Sequence, residues 1–501
     1  RLGVGGVLGG FYDFNAYNSI NTSLRIRGHG YDTDGSLNVL NGVDSYERFT
    51  KSTRQRSTYN WTTDYTKKFK SNKEKKLVIA TQVEGNIQNN TNEKYYDYDP
   101  TIENNDNKGL NREITFQIDY THPVSQNIKI ETGAKSILRN LTSDFSRTYT
   151  LKPTNIDSID YQNTDIFYYD QNVYAGYLSG TFNLANRWGM IAGVRYEHTQ
   201  IKGDFDKFEA KFNNDYDNWF PSITISKKFK DFSNLKFSYN QRIQRPSLTY
   251  INPFVDNKDP YNISYGNPNI APEHTQQFEM GYSKFYKIGM INFSTYYRTT
   301  NDVIESYLFV DTLGVSNTTF YNIGKTDYYG ANIFASVKLM KILELRGNFD
   351  LNKYFISGDV NNENLKNEGY TYRGFLSSNL TLYKDWKFEV WGFFRSPRYT
   401  LQGKNPSFSI YSFGIQKDIF NKKGKIGLRV VQPFSANKDF VTELEGNNFY
   451  QKNVSSIPFR SIGISFSYSF GKLDFKERKS FIQNDDLKQG GGNEEESGSN
   501  K

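Results

Sequence analysis

The sequence predicts an all-β protein, a transmembrane antiparallel β-barrel with about 19 strands present out of an expected 22. Three observations lead there. Apolar and polar residues alternate strictly in many short segments, the connections sort into short turns and long polar loops, and strand formers dominate a chain that is poor in apolar residues overall.

The alternation is plainest in SIGISFSYSF (461–470), where Ile462, Ile464, Phe466, Tyr468 and Phe470 share one side of an extended chain. Ser461, Gly463, Ser465, Ser467 and Ser469 share the other, because successive strand side chains point to opposite faces. A soluble sandwich and a membrane barrel both fit such a segment. Ile114, Phe116, Ile118 and Tyr120 repeat the pattern, as do Leu343, Leu345, Phe349 and Leu351, and Leu235, Phe237, Tyr239 and Ile243. Between them stand full charges such as Lys236, Arg242, Glu344 and Arg346.

Composition separates the two readings. Among 501 residues, Tyr (38) and Phe (39) are abundant, Met (4) is scarce, and Cys is absent, which excludes disulfides and thiolate metal sites. A mean hydropathy of −0.72 and 36% hydrophobic residues would make a poor soluble core, whereas a barrel keeps its lumen, turns and outer loops wet. No run approaches the ~18 apolar residues of a membrane helix. The formal charge of +8 is spread along the chain with no recognisable module, so nucleic acid is not an expected partner.

The connections decide for the barrel. Short turns at 70–75, 228–234, 383–387 and 420–425 alternate with long polar loops at 33–54, 90–111, 140–167, 203–217, 245–275, 356–369 and 434–456. Periplasmic turns on one side and extracellular loops on the other are the habit of outer-membrane barrels. The strands so delimited are 3–14, 20–32, 55–69, 76–89, 112–121, 127–139, 168–184, 189–202, 218–229, 234–244, 276–286, 289–300, 325–339, 343–355, 370–383, 387–398, 408–418, 425–433 and 460–470. Trp188, Trp386 and Trp391 fall near short turns, where an interfacial aromatic girdle belongs.

Residues 1–471 are thus the barrel domain, and 472–501, charged and Gly-rich, read as a disordered periplasmic tail. Parity adds an expectation. The last strand descends to the periplasm, and counting back makes the first strand descend too, so an odd number of strands, about three, is expected upstream of Arg1.

One segment is more specific than alternation. NQRIQRPSLTYINPFVDNKDPYNISYGNPNIAPEHTQQFEMGY (240–282) resembles the barrel signature of TonB-dependent receptors. The match runs through Gly266, Asn267, Pro268, Pro272 and Glu273 to Glu279, Gly281 and Tyr282. Upstream, Arg245, Pro246 and Ser247, then Asn252, Pro253 and Phe254, resemble the outer-membrane β-barrel family of that superfamily found in Bacteroidota. The resemblance implies a receptor in the cell outer membrane that imports a ligand with energy from TonB. It also implies a plug and a TonB-engaging segment, which together with a signal peptide are expected in the parent protein ahead of Arg1. The alternatives are a non-transporting barrel that partners a surface lipoprotein or other outer-membrane subunits, and a passive pore.

Within the segment, prolines at 246, 253, 260, 268 and 272 each remove a donor and fix φ, so the motif reads first as a loop-geometry element. Arg242, Arg245, Phe254, Tyr261 and Tyr265 are the ligand-binding candidates, since Arg with aromatics can grip an anionic or planar ligand. Inward charges such as Lys236, Glu344 and Arg346 equally suit pairing across the lumen. Asp97, Asp99, Glu103 and Asp106 offer oxygen ligands but lack calcium-loop spacing, so no metal or cofactor is expected. Histidines 29, 122, 198 and 274 are scattered and no catalytic motif appears, so the chain is not expected to be an enzyme.

Overall fold

The computed structural model describes residues 2–41, 44–207, 211–252, 256–259, 262–340, 342–360, 363–446, 449–470 and 482. Its main sheet has 20 strands. In chain order these are Leu2–Asn15, Asn18–Asn41, Asp44–Phe69, Asn72–Tyr96, Thr101–Pro123, Ile128–Leu151, Ile156–Ile159, Asp165–Leu184, Trp188–Phe205, Phe212–Lys228, Asn234–Gln244, Glu273–Tyr286, Gly289–Asn301, Lys325–Leu339, Leu343–Val360, Glu363–Thr381, Trp386–Arg395, Phe408–Ile419, Gly424–Val431 and Ser461–Tyr468. Every segment expected from the alternation falls on one of them. The strand left over is Ile156–Ile159, which extends a ladder at Thr148–Leu151.

The turns are built by short polar side chains. Asn15 Oδ1 accepts from the backbone N–H groups of Tyr17 and Asn18 at 2.9 and 3.0 Å, and Ser125 Oγ from Asn127 and Ile128 at 3.2 and 3.1 Å. Asn186, Lys384 and Asn421 take up left-handed φ values of 57°, 59° and 53°. Such residues close a ladder in the fewest steps.

The expected loops at 33–54, 90–111, 140–167 and 356–369 are mostly ladder. Asn18–Asn41 and Asp44–Phe69, 24 and 26 residues long, stay paired up to Asn41 against Asp44. At ~3.3 Å per residue such a strand runs about 80 Å, about three times the ~25 Å apolar band of an outer-membrane barrel. Above that band both faces meet water, so alternation has no cause there, while backbone groups still bond best to a neighbouring strand.

Two compact units divide the chain. In the first, Arg1–Phe182 with Gly193–Pro221, the polar face is laced by Arg139–Glu113 at 2.8 Å and Arg195–Glu197 at 2.6 Å. The Tyr177 hydroxyl donates to Asp119 at 2.6 Å across Gly133, where a Cβ would stand 2.6 Å from the tyrosine ring. Of the tail, the described residue is Ile482, which packs on Val78 and Ala80; the rest of 472–501 lies outside the described residues.

In the second unit, Ser222–Phe475 with Asn183–Ala192, register sorts the faces in the same way. Ile462, Ile464 and Phe466 lie opposite Val430, Leu428 and Ile426, while Ser461, Gly463, Ser465 and Ser467 lie opposite Val431, Arg429, Gly427 and Lys425. Lysines cap the girdle tryptophans, Lys227 Nζ lying 5.0 Å from the Trp188 ring and Lys417 Nζ 4.9 Å from that of Trp386. Trp391 departs from the girdle expectation. It is paired with Ser377 and Ser412 on the polar face, which also carries Lys387–Asp418 and Glu389–Arg429; its neighbour Val390, one residue away, takes the apolar side. Glu344 and Arg346 pair with each other at 2.5 Å.

Ile464→Arg should cost on the order of 2–4 kcal/mol of barrel stability, whereas Ser465→Arg on the opposite face should be tolerated. Denaturant titration of both variants in lipid vesicles checks this, and equal stabilities would overturn the assignment of faces.

Candidate functional site

In the second unit the TonB-receptor-like motif makes a backbone clasp. Gly266 N–H donates to Asn252 O at 2.8 Å and Asn267 N–H to Tyr250 O at 2.6 Å. A Cβ on Gly266 would stand 2.5 Å from Asn252 O, so no larger residue fits. The Asn267 amide donates to Phe320 O at 2.9 Å. Asn322 answers from the strand Ser316–Asn322, accepting from Ala271 N–H at 2.7 Å and donating to Ala271 O and Asp302 O at 2.9 and 2.7 Å. Glu273, buried, accepts from Ile304 N–H at 2.8 Å. The motif thereby fixes the Pro-rich loop onto the hairpin Ile304–Val310 and Ser316–Asn322.

A second small sheet docks beside it, made of Arg398–Thr400, Gly403–Asn405, Asn437–Gly446 and Phe449–Pro458. The Gln402 side chain stands in for a strand neighbour, accepting from Leu308 N–H and donating to Leu308 O, both at 2.8 Å. Tyr307, Ile323, Tyr354, Ile356 and Leu401 form the dry core beneath. Arg398 donates to Glu305 at 2.7 Å. Burial pushes the carboxyls of Glu305 and Glu273 above the usual range, against the pull of Arg398.

Below this assembly, on the polar face, is a cavity of about 420 Å³. Four arginines, 298, 373, 395 and 398, line it against two acids, Glu279 and Asp350. Asp350 is already satisfied. It accepts from the Tyr296 hydroxyl at 3.1 Å and from the side-chain amides of Asn332 and Asn352 at 3.4 and 3.3 Å. Tyr296 reaches it over Gly330, where a Cβ would stand 2.2 Å from the ring. The Arg298 guanidinium carbon lies over the Tyr328 ring, 4.3 Å from its centroid, and Arg373 is 67% exposed with its Nε 3.9 Å from Asp350. The cavity therefore offers guanidinium groups and tyrosine rings to a solute, the chemistry of anion recognition.

Sequence reasoning placed the ligand site on the loop segment itself. Arg242 sits exposed on the polar face opposite Thr275, Arg245 is buried, and Tyr265 is half-buried with its N–H on Thr318 O at 3.1 Å. None of the three lines the cavity. Phe254 and Tyr261, with Pro253 and Pro260, lie outside the described residues. Of the motif, Glu279 lines the cavity, Gly281 lies opposite Lys236 and Ser294, and Tyr282 takes the apolar face opposite Leu235 and Phe293. The cavity residues come from several strands, and only cross-strand register brings them together. The acidic set at 97–106 is dispersed. Glu103 is held by Lys94 at 2.6 Å, Asp99 accepts from Thr101 N–H at 2.8 Å, and Asp106, three positions from Glu103 on one strand, faces the other side. Among the described residues no group of three or more acidic, His or Cys side chains is placed to hold a metal.

Two outcomes follow from the clasp. Asn322→Ala removes three hydrogen bonds and should loosen the loop by on the order of 1–3 kcal/mol, read as faster proteolysis within 245–275 with the sheet intact. Glu273 and Glu305, with raised pKa values, bind protons more tightly folded than unfolded. Loop stability should therefore rise as pH falls from neutral toward the ordinary carboxylate range. Hydrogen exchange across that window should show the rise in the native chain and a flat profile in the Glu273→Gln, Glu305→Gln double variant.

The fold has solved counterparts. The ferric yersiniabactin uptake receptor FyuA from Yersinia pestis is 12% identical with a TM-score of 0.55, covering 94% of this chain and 79% of its own. The ferric-catecholate import receptor Fiu from Escherichia coli K12 is 10% identical with a TM-score of 0.62, over 93% and 80%. The copper transporter OprC is 13% identical with a TM-score of 0.57, over 93% and 80%. No curated protein matches in sequence. Residues 67–468 match the outer membrane protein beta-barrel family, and with most of its length inside that match the chain belongs to this family of the cell outer membrane.

Proposed function

We propose that this barrel is the body of a TonB-dependent receptor that takes up an anionic ligand, the polar face being its lumen. The carrying observation is the cavity that Arg298, Arg373, Arg395 and Arg398 line with two acids, Glu279 and Asp350, of which Asp350 also accepts from Tyr296, Asn332 and Asn352. Guanidinium groups outnumber carboxylates on this wall, and a bidentate guanidinium suits carboxylate or catecholate oxygens. Clasped loops above the cavity support selectivity, since they hold Arg398 in place through Glu305. The names of FyuA and Fiu, an uptake and an import receptor, support the same direction of transport.

The Arg373→Ala, Arg395→Ala double variant should bind anionic ferric chelates such as ferric citrate at least tenfold more weakly, a loss of about 1.4 kcal/mol. Equilibrium titration of purified barrel in detergent measures it, alongside outer-membrane abundance as a folding control. Unchanged binding at unchanged abundance would turn the reading toward a scaffold that partners a surface lipoprotein or other outer-membrane subunits.

A further inference from the structure

The first unit carries a second concentration of positive charge that the uptake reading does not use. On the strand Asn18–Asn41, Leu24 and Ile26 are exposed on the apolar face, so Arg25 and Arg27 project to the lumen. On Asp44–Phe69, Trp61 lies opposite Leu24 and Tyr59 opposite Ile26, so Arg54 and Arg56 share the lumenal face with them. Register sets Arg25 against Asn60, Arg27 against Thr58, His29 against Arg56 and Tyr31 against Arg54. Arg27 and Arg56 are thus diagonal neighbours, with backbones roughly 7–8 Å apart.

Several cations of this face have a carboxylate partner. Arg139 has Glu113, Arg195 has Glu197, Arg346 has Glu344, and Arg429 has Glu389. Among the described residues no carboxylate pairs with Arg25, Arg27, Arg54 or Arg56, and the one polar partner seen is the Tyr31 hydroxyl, 3.5 Å from Arg54. The Nε atoms of Arg25 and Arg56 are closed to solvent and lack a hydrogen-bond acceptor among those residues. Four like charges side by side repel, and a shielded N–H without an acceptor is costly. An anion bridging the guanidinium groups relieves the repulsion.

We propose that Arg25, Arg27, Arg54 and Arg56 form an anion site for a solute carrying two or more phosphate or carboxylate groups. Two groups suit the row because its ends, Arg25 and Arg54, lie six register positions apart, roughly 20 Å of strand. The site shares no residue with the uptake cavity, and its occupancy does not require transport.

Pyrophosphate titration of purified barrel tests it, in the Arg373→Ala, Arg395→Ala background so that the contribution of the uptake cavity is reduced. Pyrophosphate should bind in a salt-sensitive manner and more tightly than orthophosphate, and should raise the melting temperature. Arg54→Gln with Arg56→Gln should weaken binding at least tenfold and abolish that rise, while raising the melting temperature of the anion-free protein. Arg54→Lys with Arg56→Lys should keep most of the binding. Equal affinity in the Gln variant, or no anion-dependent melting shift in the parent background, would overturn the site while leaving the Arg373 and Arg395 reading untouched, since that one is tested by ferric citrate.

Discussion

In the hydrocarbon core of a membrane no water can meet a backbone N–H or C=O, so each must find its partner on the next strand. That constraint fixes more than the sheet. Once every ladder bond is made, each residue's face is determined, and so is its opposite number on both neighbouring strands. Tyr296, Gly330 and Asn352 meet in one row for this reason, and the arginines of both proposed anion sites are gathered by the same rule.

Glycine then acts within the ladder as a deliberate gap. Tyr177 crosses Gly133 to Asp119, and Tyr296 crosses Gly330 to Asp350. Glu389 likewise reaches Arg429 past Gly414, which separates them in the register. A long polar side chain can so bond two strands away. The carboxylate it reaches is held in one orientation across the gap. Packing of the wall and chemistry of the lumen are the same set of bonds.

What the sequence disclosed follows from where the lipid lies. Alternation marks a strand only while one side faces hydrocarbon, so each membrane-crossing strand was legible and the ladder above it was not. Residues 33–41 pair one for one with 44–52, yet their letters are those of a polar loop. Gly266 and Asn267 announced a special backbone, and the clasp they make with Asn252, Tyr250 and Phe320 agrees with a geometric role. Trp391 was misplaced because closeness to a turn says nothing about parity. Arg373, Arg395 and Arg298 went unnoticed because each stands alone in its own strand, and a linear reading weighs residues that are near in sequence.

The clasped loops join these levels. Glu305 is buried, yet its partner Arg398 is exposed to the cavity through 57% of its side chain. One carboxylate is therefore tied on its dry side to the loop sheet and on its wet side to the wall where a solute would arrive. Ion pairs of this kind are poor stabilisers, because desolvation offsets much of the attraction, and an apolar pair would hold the loops as well. The ion pair ties the cavity wall to the element that carries Tyr307 and Leu308, which Gln402 in turn ties to the second small sheet. The polar contacts of the loops thus join cavity wall and loop sheet above an apolar core.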